Sequence, residues 1–231
     1  MIESTEQLKR NIETVRERIK RAAERSGRSA VDIMLVAVSK TALPETVKAS
    51  LDFGLSVFAE NRVNEFLSKY DFIGDKCKWH FIGRLQRNKV KYIENKAALI
   101  HSVESLELAK ELQKRAYGMN IIQEILVQVN ISGEKSKQGI KKEDTVEFLR
   151  ELSKYPNIKV MGLMTMAPHS DNPEDSRWVF RGLKQLSLDI QGINIDNINM
   201  DYLSMGMSND FETAIEEGSN MVRIGSAIFG S

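Results

Sequence analysis

Residues 33–41 read IMLVAVSKT, an apolar and partly β-branched run that ends on a serine and a lysine. A run of this length with so little polarity predicts a strand buried on both faces, the kind found in parallel sheets. A lysine at the tip of such a strand is ordinarily solvated. Aimed into a closed pocket, it is a reagent. The same pattern recurs at 55–59 (LSVFA), 79–82 (WHFI), 98–103 (ALIHSV), 121–131 (IIQEILVQVNI), 158–164 (IKVMGLM), 198–204 (INMDYLS) and 221–224 (MVRI), eight runs in all. Between them lie stretches of helical character: 44–52 with Pro44 suited to a first turn, 104–117, 142–152 and 174–190. Strand followed by helix, repeated, predicts a parallel sheet with helices outside it. Eight such units in about 200 residues favour an α/β fold of the (β/α)8, TIM-like barrel type over an open doubly wound sheet.

One more helix precedes the barrel. Ser4 and Gln7 have the spacing of a capping box, and Leu8, Ile12, Val15, Ile19 and Ala22 come after them at alternating steps of four and three, up to a stop at Gly27. No low-complexity or linker-like segment interrupts the chain beyond this helix. The expectation is one domain over 1–231, with the helical segment 1–27 packed on the barrel.

At 231 residues and 42% hydrophobic content, the chain can bury roughly three quarters of its unfolded surface in one core. Its 33 basic and 32 acidic residues leave a net charge of +1, which announces neither a nucleic-acid footprint nor a membrane-surface stripe. No apolar run approaches the roughly 18 residues that span a bilayer, and the first twenty residues are charged throughout. A cytoplasmic protein, a monomer with no nucleic-acid or membrane partner, is expected. The single cysteine, Cys77, excludes an internal disulfide framework and a cysteine-rich metal site. The basic segment from Lys76 to Lys96 is expected to form a solvated helix face.

In a barrel of this kind the active face is the carboxyl end of the strands. The first run ends in Ser39-Lys40, the second in Glu60-Asn61, the third reaches Gly83-Arg84, the fifth ends in Asn130, the sixth in Met164-Thr165, the seventh in Ser204, and the eighth in Arg223 before Gly225-Ser226. The last two loops, SMGMSND (204–210) and RIGSAIFGS (223–231), carry small residues where a backbone approaches a ligand closely. Ser208 is placed to cap the next helix, and Gly225-Ser226 to open a short terminal helix. Loops seven and eight with such a helix form the usual anion cradle of this architecture. Barrel closure pairs the first strand with the eighth, so Lys40 is expected beside that cradle. There it either holds phosphate as a point charge or forms an imine with a phosphorylated aldehyde, with Arg223 as its cationic neighbour. Pyridoxal 5′-phosphate (PLP) combines the two groups.

The blocks VAVSKT, FAENRVNE, WHFIGRLQRNK, VNISGEKSKQG, MGLMTMAP, LSMGMSND and VRIGSAIFG resemble the pyridoxal-phosphate homeostasis proteins, single-domain relatives of the alanine racemase N-terminal barrel. The resemblance runs from about residue 30 onward. It implies that Lys40 would carry PLP as a Schiff base, that Arg223 would meet the ring nitrogen, and that Gly225 and Ser226, with Ser204 and Ser208, would hold the phosphate. Asn61 would lie beside the ring, and Lys137 falls in a family block without an assigned role. The implied function is intracellular PLP homeostasis: holding the cofactor and supplying it to PLP-dependent apo-enzymes, with no turnover.

An arginine against the ring nitrogen leaves that nitrogen without its own proton and weakens the electron sink that amino-acid chemistry requires. In alanine racemases a second, β-rich domain and a partner subunit supply one of the bases, and neither is expected here. The alternatives are a PLP-dependent amino-acid racemase or lyase using Lys40 with Tyr202, His80 or Glu60, a class I aldolase, and an interaction module with a vestigial pocket. His80, within WHFI, reads first as a structural histidine, and Glu60 as an orienting group or a helix N-terminal charge.

Overall fold

The computed structural model describes residues 4–134 and 137–230. Its eight barrel strands are β1 (Met34–Val38), β2 (Val57–Glu60), β3 (Lys78–Phe81), β4 (Leu99–Val103), β5 (Gln123–Asn130), β7 (Ile158–Met164), β8 (Ile198–Ser204) and β9 (Met221–Ile224). Every pairing is parallel; β4 pairs with β5 and β1 with β9, so the sheet closes on itself. A two-residue strand, β6 (Ile140–Lys141), adds to the end of β5 at Val129 and Asn130. The helices are α1 (Thr5–Arg25), α2 (Pro44–Leu51), α3 (Val63–Ile73), α4 (Val90–Ile93), α5 (Leu106–Gly118), α6 (Thr145–Leu152), α7 (Arg177–Ile193), α8 (Phe211–Glu216) and α9 (Ser226–Phe229). The (β/α)8 barrel with an added first helix is therefore the fold.

Two apolar clusters arise from the alternation of side chains along each strand. Ala37, Phe58, Trp79, Phe81, Ile100, Ile125 and Ile224 point outward and meet the helices. Val36, Val38, Val57, Ala59, Leu99, Leu126, Met161, Met164 and Met221 point inward. Even-numbered residues of β1 thus face the barrel axis, and Lys40 continues that parity just beyond the strand.

Helix α1 seals the outside of the two elements that carry the last loops. Ser4 caps it by accepting from the Gln7 amide (3.2 Å), and Leu8, Ile12, Val15, Ile19, Ala22 and Ala23 are buried. Gly27, at φ 69°, turns the chain away. Asn11 donates to the Ile228 carbonyl at 3.0 Å, and Arg18 and Arg25 pair with Glu212 and Glu216 of α8 at 3.1 and 2.7 Å. The basic segment Lys76–Lys96 is not a helix face. Its charges are mostly exposed, but they sit on β3, a loop and the single turn of α4, because Trp79 and Phe81 take the chain into the sheet.

Backbones approach very closely where β7 meets β8. Gly162, paired with Tyr202 and held at φ 150°, has room for no side chain: a Cβ there would lie 1.9 Å from the Tyr202 carbonyl oxygen. Gly162→Ala is expected to destabilise the fold by about 3 kcal/mol, since the strands must separate to admit the methyl group. Urea denaturation of the two proteins measures the difference.

Candidate functional site

The carboxyl end of the barrel assembles three groups. The first is the turn after β1. The Ser39 amide donates to the Ala59 carbonyl (3.1 Å), which extends the ladder one residue past the strand, and the Ala42 amide donates back to the Ser39 carbonyl (2.9 Å). Lys40 and Thr41 are the central residues of that turn, and Lys40 is exposed at the rim.

The second group is Arg223. It points into the barrel from β9, is only 4% exposed, and reaches the ends of the neighbouring strands: one Nη donates to the Ser204 hydroxyl (2.6 Å) and the other to the Thr165 carbonyl (2.9 Å). No carboxylate accepts a hydrogen bond from it among the described residues. Burial lowers its pKa to about 10, partly offset by the charge of Asp210. It nevertheless stays charged at neutral pH.

Ser204 passes the arginine's hydrogen bond inward. Its Oγ lies 3.0 Å from His101 Nδ1, and His101 Nε2 lies 3.0 Å from His80 Nδ1. Desolvation pushes both imidazoles toward the neutral form, His80 to about 3 with the charge of Lys78 adding to the effect, and His101 well below its ordinary value with His80 and Arg223 adding to it. Because Arg223 donates to Ser204, the serine hydrogen is free to go to His101 Nδ1. That leaves His101 donating from Nε2 to His80 Nδ1, a one-way chain in which Ser204 and both ring nitrogens of His101 are satisfied. Ser204 is thus turned toward Arg223 rather than toward the Gly225–Ser226 turn.

The third group is formed where the loops after β8 and β9 meet. Ser208 does not cap α8. Asp210 stands at the N-cap position without a side-chain cap, its carboxylate accepting instead from the preceding Met207 amide (2.6 Å), while the Ser208 hydroxyl accepts from the Gly225 and Ala227 amides, both at 3.3 Å. The amides of Ile228 and Phe229 donate to the Gly225 carbonyl, so the donors of this turn that do not serve the short helix itself are those that meet the Ser208 hydroxyl. Gly206, at φ 92°, lets the loop pass α8; a Cβ there would meet Ala214 Cβ at 2.6 Å. Gly225 does the same against β1, where a Cβ would stand 3.0 Å from the Val38 carbonyl oxygen, two residues before Lys40. Barrel closure has brought the lysine turn and the amide cluster together.

Asn61 is exposed on the rim at the end of β2, and Gly83 makes room for its backbone: a Cβ at 83 would be 1.9 Å from the Asn61 carbonyl oxygen. Lys137 lies across the rim, lining a cleft with Arg84, Arg87 and Ser105, while residues 135 and 136 of its block lie outside the described residues. Two contributors have no prominence in the sequence. His101 is hidden in the run ALIHSV, where its alternation with Ile100 is the only sign that it faces the axis. Lys69 is buried on α3 with its ammonium on Glu60 Oε1 (2.5 Å), and Glu60 is neither a rim base nor a helix N-terminal charge but wholly buried.

A closed parallel barrel with a buried, carboxylate-free arginine, a rim lysine and an amide-and-serine cradle between its last two loops is a barrel of the alanine racemase N-terminal type. The family model described as "Alanine racemase, N-terminal domain" matches residues 4–231. The chain is 48% identical over 217 residues to the pyridoxal phosphate homeostasis protein of Aquifex aeolicus, with 94% of each chain covered. It is 35% identical over 226 residues to that of Escherichia coli K12, covering 96% of this chain and 95% of the relative. Among solved structures, PipY of Synechococcus elongatus PCC7942 with PLP bound aligns with a TM-score of 0.81 and 28% identity, covering 90% of this chain and all (100%) of that one. The chain belongs to the pyridoxal phosphate homeostasis protein family.

The interior histidines carry a testable cost. Below pH 6.5 an unfolded chain protonates both imidazoles while the folded barrel, with His80 at about 3, does not. Their contribution to stability is complete above 6.5 and is lost as pH falls toward 3. His80 adds about 1.4 kcal/mol of lost stability per pH unit across that window, and His101 acts in the same direction. His80→Gln is expected to flatten the slope by one proton, read from urea titrations at about pH 6 and pH 4.

Proposed function

We propose that this chain binds pyridoxal 5′-phosphate at the carboxyl rim of its barrel and serves intracellular PLP homeostasis, holding the cofactor and supplying it to PLP-dependent apo-enzymes, as a cytoplasmic monomer acting through one domain. The observation that carries the reading is Arg223. A guanidinium buried inside the barrel without a carboxylate partner costs stability, and a fold keeps such a group where a ligand uses it. The names of the relatives and the PLP bound in PipY support the choice of cofactor.

The residues fit that group. When bound, PLP supplies an aldehyde that an amine captures reversibly. Lys40 is the amine at the rim, Arg223 the donor for the ring nitrogen, with Asn61 beside the ring, and Gly225, Ser226 and Ser208 the cradle for the phosphate. Ser204 holds Arg223 in its charged, donating orientation.

The same arrangement argues against turnover. Arg223 remains protonated, so it does not surrender a proton to a ring nitrogen, and the electron sink needed for carbanion chemistry stays weak. The interior histidines are occupied by each other and by Ser204, and burial makes both poor bases. Neither stands on the rim as a second base opposite Lys40.

Borohydride reduction with PLP and subsequent peptide mass spectrometry are expected to place a phosphopyridoxyl group on Lys40. A label absent from Lys40 overturns the reading. Arg223→Met is expected to weaken PLP retention at least tenfold while the thermal midpoint stays within a few degrees of the parent, because an unpaired buried charge leaves with the side chain. An enantiomer-conversion assay with saturating PLP is expected to show no sustained turnover of amino acids. Turnover abolished by Lys40→Ala would establish a racemase instead.

A further inference from the structure

Beneath the lysine turn lies a buried charged pair that neither the arginine nor the phosphate cradle uses. The core-facing stripe of α3 runs Phe66, Lys69, Ile73, with Lys69 only 4% exposed. Its ammonium donates to Glu60 Oε1 at 2.5 Å and to the Ser39 carbonyl, and the Ser39 hydroxyl donates to the same Glu60 oxygen at 2.6 Å. Glu60 is 0% exposed, and its Oε2 has no partner among the described residues. Buried ion pairs add little net stability over apolar side chains of the same volume, and an orphaned carboxylate oxygen makes this one poorer still. Stability alone does not account for it.

Its position does. Backbone pairing of β1 with β9 stops at Ala37 and Ile224, so beyond that point the chain leading to Lys40 has lost one of its two neighbours. What remains is the Ser39 amide on Ala59 and the Ser39 carbonyl that closes the Lys40 turn by accepting from Ala42. That same carbonyl is the one Lys69 grips, and Glu60 holds the ammonium in place from the residue before Asn61. We infer that Lys69, oriented by Glu60, is a positioning residue for Lys40: it pins the carbonyl that closes the turn and so keeps the Lys40 amine directed over the barrel mouth, where a phosphorylated aldehyde is captured. This rests on the proposed function and assigns the determinant of capture within it. Lys69 itself touches no ligand.

The test separates amine presentation from the anion cradle. Pyridoxine 5′-phosphate has the ring and phosphate of PLP but an alcohol in place of the aldehyde, so its affinity reads the cradle and Arg223 alone. In Lys69→Met/Glu60→Leu, which removes both charges together, cooperative melting is expected to persist, and pyridoxine 5′-phosphate affinity by calorimetry is expected to stay within twofold of the parent. The rate of borohydride-trappable labelling of Lys40 by PLP is expected to fall at least tenfold. Ser39→Ala keeps the carbonyl and its ammonium and is expected to label within threefold of the parent. If the apolar pair does not melt cooperatively, Lys69→Met/Glu60→Gln takes its place with the same expectations. Unchanged Lys40 labelling in a folded double variant overturns the inference, as does a parallel loss of affinity for pyridoxine 5′-phosphate, which would make the pair a general support of the rim. A parent protein that takes no label at Lys40 refutes the proposed function itself, and that arm is read before any variant is made.

Discussion

Four backbone partnerships, Met34 with Met221 through Ala37 with Ile224, hold the first strand of the barrel against the last. Everything proposed for the rim depends on this seam. It sets Arg223 level with Val36 and carries the later residues of both strands upward side by side, so the loop through Gly225 crosses the end of β1 just before Lys40. Residues nearly two hundred positions apart in the chain become neighbours through main-chain hydrogen bonds, and a one-residue slip of either strand would turn that strand's residue, Lys40 or Arg223, away from the axis.

Around that seam the barrel separates its apolar and polar interiors. Small and flexible side chains, among them Val36, Val38, Ala59, Met161 and Met164, fill the space nearest the strand centres, while Arg223, Ser204, His101 and His80 form a connected polar chain among them. A buried guanidinium is tolerated here because Ser204 and the Thr165 carbonyl satisfy part of it and two neutral imidazoles carry the hydrogen-bond chain away without adding positive charge. On the opposite side of β1 and β2 the same solution appears with an ammonium and a carboxylate, Lys69 and Glu60. The two networks flank the rim from inside and outside the sheet, one ending at the arginine and the other at the carbonyl preceding the lysine.

Much of this is legible in the residues. Strands at 158–164, 198–204 and 221–224 coincide with their apolar runs; in the first and last, inward and outward faces are both largely buried and leave no ambiguity of length. Helix boundaries differ by a few residues where a 3-10 turn leads into the helix, as at Lys142–Asp144 and Pro173–Ser176, since such a turn has the composition of the helix it precedes. Ser208 reads as a helix cap from its place in SMGMSND. In the structure Asp210 stands at the N-cap position of α8, but its carboxylate accepts from the preceding Met207 amide and caps no helix amide, and the Ser208 hydroxyl turns to the amides across the loop. Lys69 has no sequence signal because a lysine on a helix is solvated in almost every sequence, and only the packing of Phe66 and Ile73 against the barrel shows that this one is not.

By itself the sequence determined the alternation of strand and helix, the direction of every strand, and the identities of Lys40, Asn61, Ser208, Arg223, Gly225 and Ser226 as residues at strand ends, because hydrophobic periodicity and turn chemistry are local properties. Which of these residues meet was decided only by closure of the sheet. So were the company of Ser204 and His101, the partner of Lys69 and the absence of a carboxylate at Arg223 among the described residues, since burial and hydrogen-bond partners are set by long-range register that no local pattern encodes.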